Sequence, residues 1–181
     1  MARKGVRLVV VCEDDEHWKF ARHAFLRLGY HNRELRPFIS PSGRGAAEHW
    51  VRKRYALEVR AHRRRVASQK VGLVVVVDAD TETTEHRHNQ LSSELADAGL
   101  PQRTDGERIV LWIPRRHIET WVAYLLGNKV TEDEDWKRRM QGQDYRPPAY
   151  RFIELYQRSD DRPADLLPSM SLAYEELACL S

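Results

Sequence analysis

Four carboxylates follow apolar runs in this chain at places where they could do chemistry together. Glu13 directly follows Leu8-Val9-Val10-Val11-Cys12. Asp78 and Asp80 follow Val71-Gly72-Leu73-Val74-Val75-Val76-Val77, and Glu119 follows Ile109–Ile113 by way of Pro114-Arg115-Arg116-His117-Ile118. Short, uniformly apolar, β-branched runs read as strands buried on both faces, as in a parallel sheet. In open α/β sheets ligands bind beyond the carboxyl ends of the strands, so all four acids are expected at the functional edge. Asp78 and Asp80 are two apart and share a face if the strand continues, while a turn after Asp78 would still bring them to one ion. Hard oxygen donors gathered in this way suit Mg²⁺, with Mn²⁺ as the alternative; without a cation they would repel one another.

The basic residues are equally uneven. Between Arg44 and Lys70 nine Lys and Arg, among them Arg44, Arg52, Lys53, Arg54, Arg63 and Arg64, stand against Glu48 and Glu58, a local charge of +7. Beside an acidic, metal-binding edge such a stretch suits a polyanion, and DNA or RNA is the expected partner. Ser42-Gly43-Arg44-Gly45 could offer amides to a phosphate, although it lacks the Lys-Ser/Thr ending of a P-loop. Arg115 and Arg116, shortly before Glu119, are placed to contact a phosphate held by the metal.

These residues need a scaffold, and its elements are legible. Strands are expected at Leu8–Cys12, Arg33–Ile39, Val71–Val77 and Ile109–Ile113. Helices are expected at Glu16–Leu28, Ala46–Ala67, from Thr83 or Thr84 to Ala98, and at His117–Leu126, with Gly29, Gly99 and Gly127 as stops. The alternation predicts an α/β domain over residues 1–128 with a mainly parallel sheet of about four strands. Residues 129–181 are expected to form a helical appendage. It would hold a short helix opened by the capping box Thr131-Glu132-Asp133-Glu134, a loop over 141–148, and helices at Tyr150–Arg158 and Ser171–Leu180.

The chain has 181 residues with 30 Lys+Arg and 27 Asp+Glu, a net charge of +3, and 41% hydrophobic residues. No apolar run approaches the roughly 18–20 residues of a membrane helix, and Met-Ala-Arg-Lys-Gly leads into too short an apolar run for a signal peptide, so the expected location is cytoplasmic. Cys12 and Cys179 fit neither a disulfide framework nor a zinc site. His86 and His88, two apart on a helix, face different ways and do not suggest zinc. His17, His23 and His49 read as surface or boundary residues. The tryptophans read as core, with Trp136 a candidate exposed anchor.

Taken in order, Val9-Val10-Val11-Cys12-Glu13, a glycine-containing loop between two helices, and Val74-Val75-Val76-Val77-Asp78-Ala79-Asp80 resemble the TOPRIM domain. That domain is shared by topoisomerases, primases and the overcoming-lysogenisation-defect nucleases. Ile118-Glu119-Thr120-Trp121 is similar to the Ile-Glu-x-Trp segment of small stand-alone TOPRIM-like proteins associated with phage defence. The resemblance spans residues 5–128 and departs from the family at Asp14, where Gly is frequent. It leaves open which of Glu13, Asp14 and Glu16 faces the site. It implies a TOPRIM or Rossmann-like fold and a Mg²⁺-dependent nuclease. Glu13, Asp78 and Asp80 would be catalytic, and Glu13, Asp78, Asp80 and Glu119 would hold metal. An ATPase subunit is an implied partner.

Two rival readings use the same acids. Val74–Asp80 also resembles the strand and Asp-x-Asp of haloacid-dehalogenase-like phosphatases, with Asp78 as nucleophile, although that family carries its motif on the first strand. A response-regulator receiver would need a shorter spacing than Glu13 to Asp78 and a later Lys. A third alternative is a non-catalytic subunit docking on an ATPase.

Overall fold

In the computed structural model, which describes residues 5–41 and 46–180, the apolar runs form the strands β1 (Arg7–Cys12), β2 (Leu35–Ile39), β3 (Val71–Val76) and β4 (Ile109–Trp112). They make one parallel sheet in the order β2-β1-β3-β4, with Val10 beside Val74 and Val74 beside Val110. Every residue of β3 and β4 is buried, as expected of strands covered on both faces. The connecting helices are α1 (Asp15–Arg27), α2 (Ala47–Arg65), α3 (Thr84–Asp97) and α4 (Ile118–Leu125); α5 (Arg146–Gln157) and α6 (Pro168–Leu177) follow. Arg33 and the residues on either side form a 3₁₀ turn, so β2 begins only at Leu35.

Alternate residues divide the core between the two faces. Leu8, Val10, Cys12, Val74, Val76, Val110 and Trp112 meet α1, α4, α5 and α6. Val9, Val11, Leu73, Val75, Ile109 and Leu111 meet α2 and α3. Gly72 lies where β1 and the C-terminal end close on β3: a Cβ there would stand 2.7 Å from Leu8 Cδ2 and 3.1 Å from Leu180 Cδ2, so those side chains would have to shift.

The segment after residue 128 shares this core. Phe152 stacks on Trp121 at 5.5 Å between centroids and meets Trp112 edge-on at 5.2 Å, while Phe25 stacks on the other side of the same cluster at 5.1 Å from Trp112. Trp121 donates from Nε1 to Ser169 Oγ at 2.8 Å, and Tyr174 donates to the Phe152 carbonyl at 2.9 Å.

Three local expectations in this segment are corrected. The helix expected after Thr131 is absent: Glu132 instead accepts from the Ser169 N–H at 2.9 Å, a tertiary contact, and Glu134 accepts from the nearby Trp136 Nε1 at 2.9 Å. The helix α5 begins at Arg146, with Pro147 and Pro148 inside its first turn, where a missing N–H costs nothing. Pro168 opens α6 three residues before the expected start for the same reason. Among the described residues no helix is long and apolar enough to cross a membrane.

Candidate metal centre

The chain leaves β1 towards β2 on one side and returns across it to β3 on the other. The ends of β1 and β3 therefore border the point where strand order reverses, which is where open sheets form a crevice. Glu13 sits at the first of these ends and Asp78 just beyond the second. Glu13 Oε1 accepts the Asp78 backbone N–H at 2.6 Å, joining the two.

The start of α1 adds a residue that the sequence reading discounted. Asp14 caps the helix, accepting from the His17 N–H at 3.0 Å. The His17 ring, only 1% exposed, lies between two carboxylates: Nδ1 is 2.6 Å from Asp14 Oδ1 and Nε2 is 2.9 Å from Asp78 Oδ1. His17 is therefore neither a surface nor a boundary residue. Burial alone would lower its pKa, but the charges of Asp78 and Asp14 outweigh it and raise the pKa well above the ordinary histidine value. The same contact holds Asp14 well below the usual carboxylate range, although burial pushes the other way. Donor atoms of Glu13, His17 and Asp78 all lie within 4.8 Å of one another.

Two further carboxylates line the same cleft. Glu119, in the first turn of α4, is 4% exposed, and its Oε2 has no hydrogen-bond partner. Burial and then the Asp78 charge raise its pKa. Burial, followed by the charge of Asp78, pushes the Glu13 carboxyl up to about 7. Asp80 departs from the strand geometry that would align it with Asp78. Its φ is +56°, a left-handed conformation that Asp tolerates better than most residues, and its side chain is half-exposed. It pairs at 3.3 Å with His117 Nε2, a contact that lowers the Asp80 pKa and raises that of His117.

The cleft has a volume of about 990 Å³, and Glu13, Asp14 and Glu16 all line it. Only Glu13 among these three reaches the end of β3. The opposite wall comes from residues 135–145, which bring Asp135, Lys137 and Arg138. Lys137 is exposed to solvent in the cleft; its pKa is raised by Glu119 and Asp78 against the opposing effect of desolvation.

Of the basic residues expected to meet phosphate, none that the structure describes is among those lining the cleft. Arg44 falls outside the described residues. Arg52 pairs with Glu48 at 2.5 Å and Glu94 at 3.0 Å, Lys53 with Glu94 at 2.8 Å, and Arg54 with Glu58 at 2.7 Å while covering the Phe38 ring. Arg63 holds Glu107 at 2.6 Å and the carbonyls of Pro101 and Gln102. Arg63 and the exposed Arg64 stand at the far end of α2, about 25 Å along the helix from its cleft end. Arg115 bonds to the Glu82 carbonyl and pairs with Asp133 at 3.1 Å, and the Arg116 Nε is buried without a partner. Among the described residues the cations lining the cleft are Lys19, Lys137 and Arg138, with His23 beside them.

Trp136 is 7% exposed, which corrects its expected role as an exposed anchor; Arg139 lies over its ring at 4.6 Å. One signal in the sequence could have found His17: it stands three residues after Asp14 and four after Glu13, the spacing that returns a helical side chain to the same face. Lys137 carries no comparable signal, because it reaches the site from an irregular segment far along the chain. No protein-family model, curated protein or solved structure matches the chain.

Proposed function

We propose that the protein is a divalent-cation-dependent nuclease of the TOPRIM type, hydrolysing phosphodiester bonds of DNA or RNA in the cytoplasm. The observation that carries this reading is the joining of Glu13 to Asp78 across the ends of β1 and β3, in a cleft that Glu119 also lines with a buried oxygen that has no hydrogen-bond partner. Buried carboxylates without partners are costly unless a cation satisfies them. The residues present fit such an ion: Glu13 and Asp78, with Asp80 and Glu119 lining the same cleft, would offer oxygens, which suits Mg²⁺ or Mn²⁺. Two free cysteines, one of them buried, agree with a reducing compartment.

When bound, the cation would stabilise charge on the phosphate in transit and lower the pKa of an attacking water. The protein's own groups have separable tasks. Glu13, at the end of β1 beside Asp78, is the carboxylate assigned to accept a proton from the attacking water. His17 and the Asp78 N–H hold Asp78 and Glu13 in place. Lys137 offers positive charge beside the carboxylates, where a phosphate oxygen would otherwise be repelled.

A phosphatase passing through a phosphorylated Asp78 is disfavoured, because Asp78 is 2% exposed and its Oδ1 already faces His17. The test incubates the protein with single-stranded and duplex DNA and RNA in Mg²⁺ or Mn²⁺. Cleavage should vanish with chelator, and Glu13→Gln should lower turnover about 10²–10⁴-fold, the usual contribution of a general base. Cleavage equal to wild type in Glu13→Gln and Asp78→Asn would remove this site from the reaction.

A further inference from the structure

Arg87 is not among the residues lining the cleft, yet it is only 4% exposed and its guanidinium holds the turn that carries Asp78 and Asp80. It projects from the first turn of α3, which Thr83 caps through the His86 N–H. Its Nε donates to the Asp78 carbonyl at 2.9 Å, and Nη2 donates to the Ala79 carbonyl at 3.4 Å and stands 3.8 Å from Asp80 Oδ2. Nη1 donates to Gln90 Oε1 at 2.7 Å and to the carboxylate of Glu48, which lines the cleft from the start of α2.

The other side of the turn is held by backbone. The Ala79 and Asp80 N–H groups donate to the carbonyls of Pro114 and Arg116 at 2.9 and 3.1 Å. The left-handed Asp80 therefore lies between two sets of bonds, and Arg87 supplies all the side-chain donation to the carbonyls on its side that the structure shows. An unusual backbone conformation persists only where its surroundings over-determine it.

We propose that Arg87 is a positioning residue for the metal centre: by bonding the Asp78 and Ala79 carbonyls it keeps Asp80 left-handed and its carboxylate turned to the cleft. This rests on the reading of the cleft as a cation site. The role needs the planar fork of arginine, since an ammonium is a single point of donation and cannot span two successive carbonyls with fixed geometry.

The experiment titrates Mn²⁺ into the full-length protein by calorimetry, comparing wild type, Arg87→Lys, Asp80→Asn, the double variant and Asp78→Asn, with a thermal melt of each. Arg87→Lys is expected to weaken Mn²⁺ binding about 10–100-fold, the usual cost of losing an outer partner of a ligand. In the Asp80→Asn background the same change should add almost nothing, because Arg87 acts through Asp80. Wild-type Mn²⁺ affinity in folded Arg87→Lys, or losses that multiply in the double variant, would overturn the role. If Asp78→Asn loses Mn²⁺ while Arg87→Lys keeps it, the metal centre stands and the Arg87 role falls; no Mn²⁺ binding by wild type sinks both.

Discussion

His17 shows how one side chain answers an electrostatic problem set by the strand ends. Asp14 and Asp78 approach the same imidazole from opposite sides, so in the metal-free protein the ring neutralises carboxylates that would otherwise face each other at close range. Replacing it with Ala leaves a buried carboxylate uncompensated. The expected cost to the metal-free protein is about 3–5 kcal/mol, measured by urea denaturation, with Mn²⁺ restoring part of it. Glu119 should behave in the opposite way. The fold disfavours its charge, so Glu119→Gln should raise the melting temperature of the metal-free protein while weakening Mn²⁺ binding about 10–100-fold. Stability and function pull apart at this residue, as expected where a site keeps a carboxylate unpaired for a ligand.

At the scale of elements, charged pairs do work that strand and helix propensities cannot. The far end of α2 is tied to the turn before β4 by Arg63 and Glu107. This contact lowers the Glu107 pKa, chiefly through the hydrogen bond from Arg63. A depressed carboxyl contributes stability that is fully present above its unfolded value of about 4.3 and is lost as pH falls through the lower folded value. Glu107→Gln should therefore destabilise the protein at pH 7, and its difference from wild type should shrink in denaturation series taken below about pH 4.

The outer edge of β4 is closed by a second pair. Glu176 of α6 accepts the Leu111 N–H at 2.9 Å, and Arg103 pairs with Glu176 while donating to the Ile109 carbonyl at 2.7 Å. Together they occupy the positions that a neighbouring strand would use. Glu176→Ala should cost about 1.5–3 kcal/mol and increase light scattering on warming, because an uncovered strand edge invites another chain. A variant as stable and as monodisperse as wild type would show that the pair does not guard the edge.

Over the whole molecule, the division between an α/β layer and a later helical segment is a division of sequence pattern, since the two halves bury one another. Phe20, Trp112, Trp121 and Phe152 form a single aromatic cluster to which α1, β4, α4 and α5 each contribute. Phe152→Ala should lower stability by about 3–5 kcal/mol while keeping one cooperative transition. A chain cut after Asn128 should expose Trp112 and Trp121, bind a hydrophobic dye and lose cooperative unfolding. Two separate transitions in the intact protein would contradict this shared core.

The sequence alone determined what depends on neighbours in the chain. Runs such as Val71–Val76 announce buried strands because both faces must be apolar, and the acids that follow them announce the sheet's ligand-binding edge. The tertiary structure alone decided which groups meet there. It brought His17 between residues 14 and 78, Lys137 across from Glu119, and Arg87 beneath the Asp78 turn. It also paired Lys53, Arg54 and Arg63 with carboxylates away from the cleft, although their +7 stretch reads as a surface for phosphate. The physical reason is range. Hydrophobic periodicity is written over a few residues, whereas the partner of a charge lies wherever the fold returns the chain, and burial then decides whether that charge binds a ligand or holds the structure together.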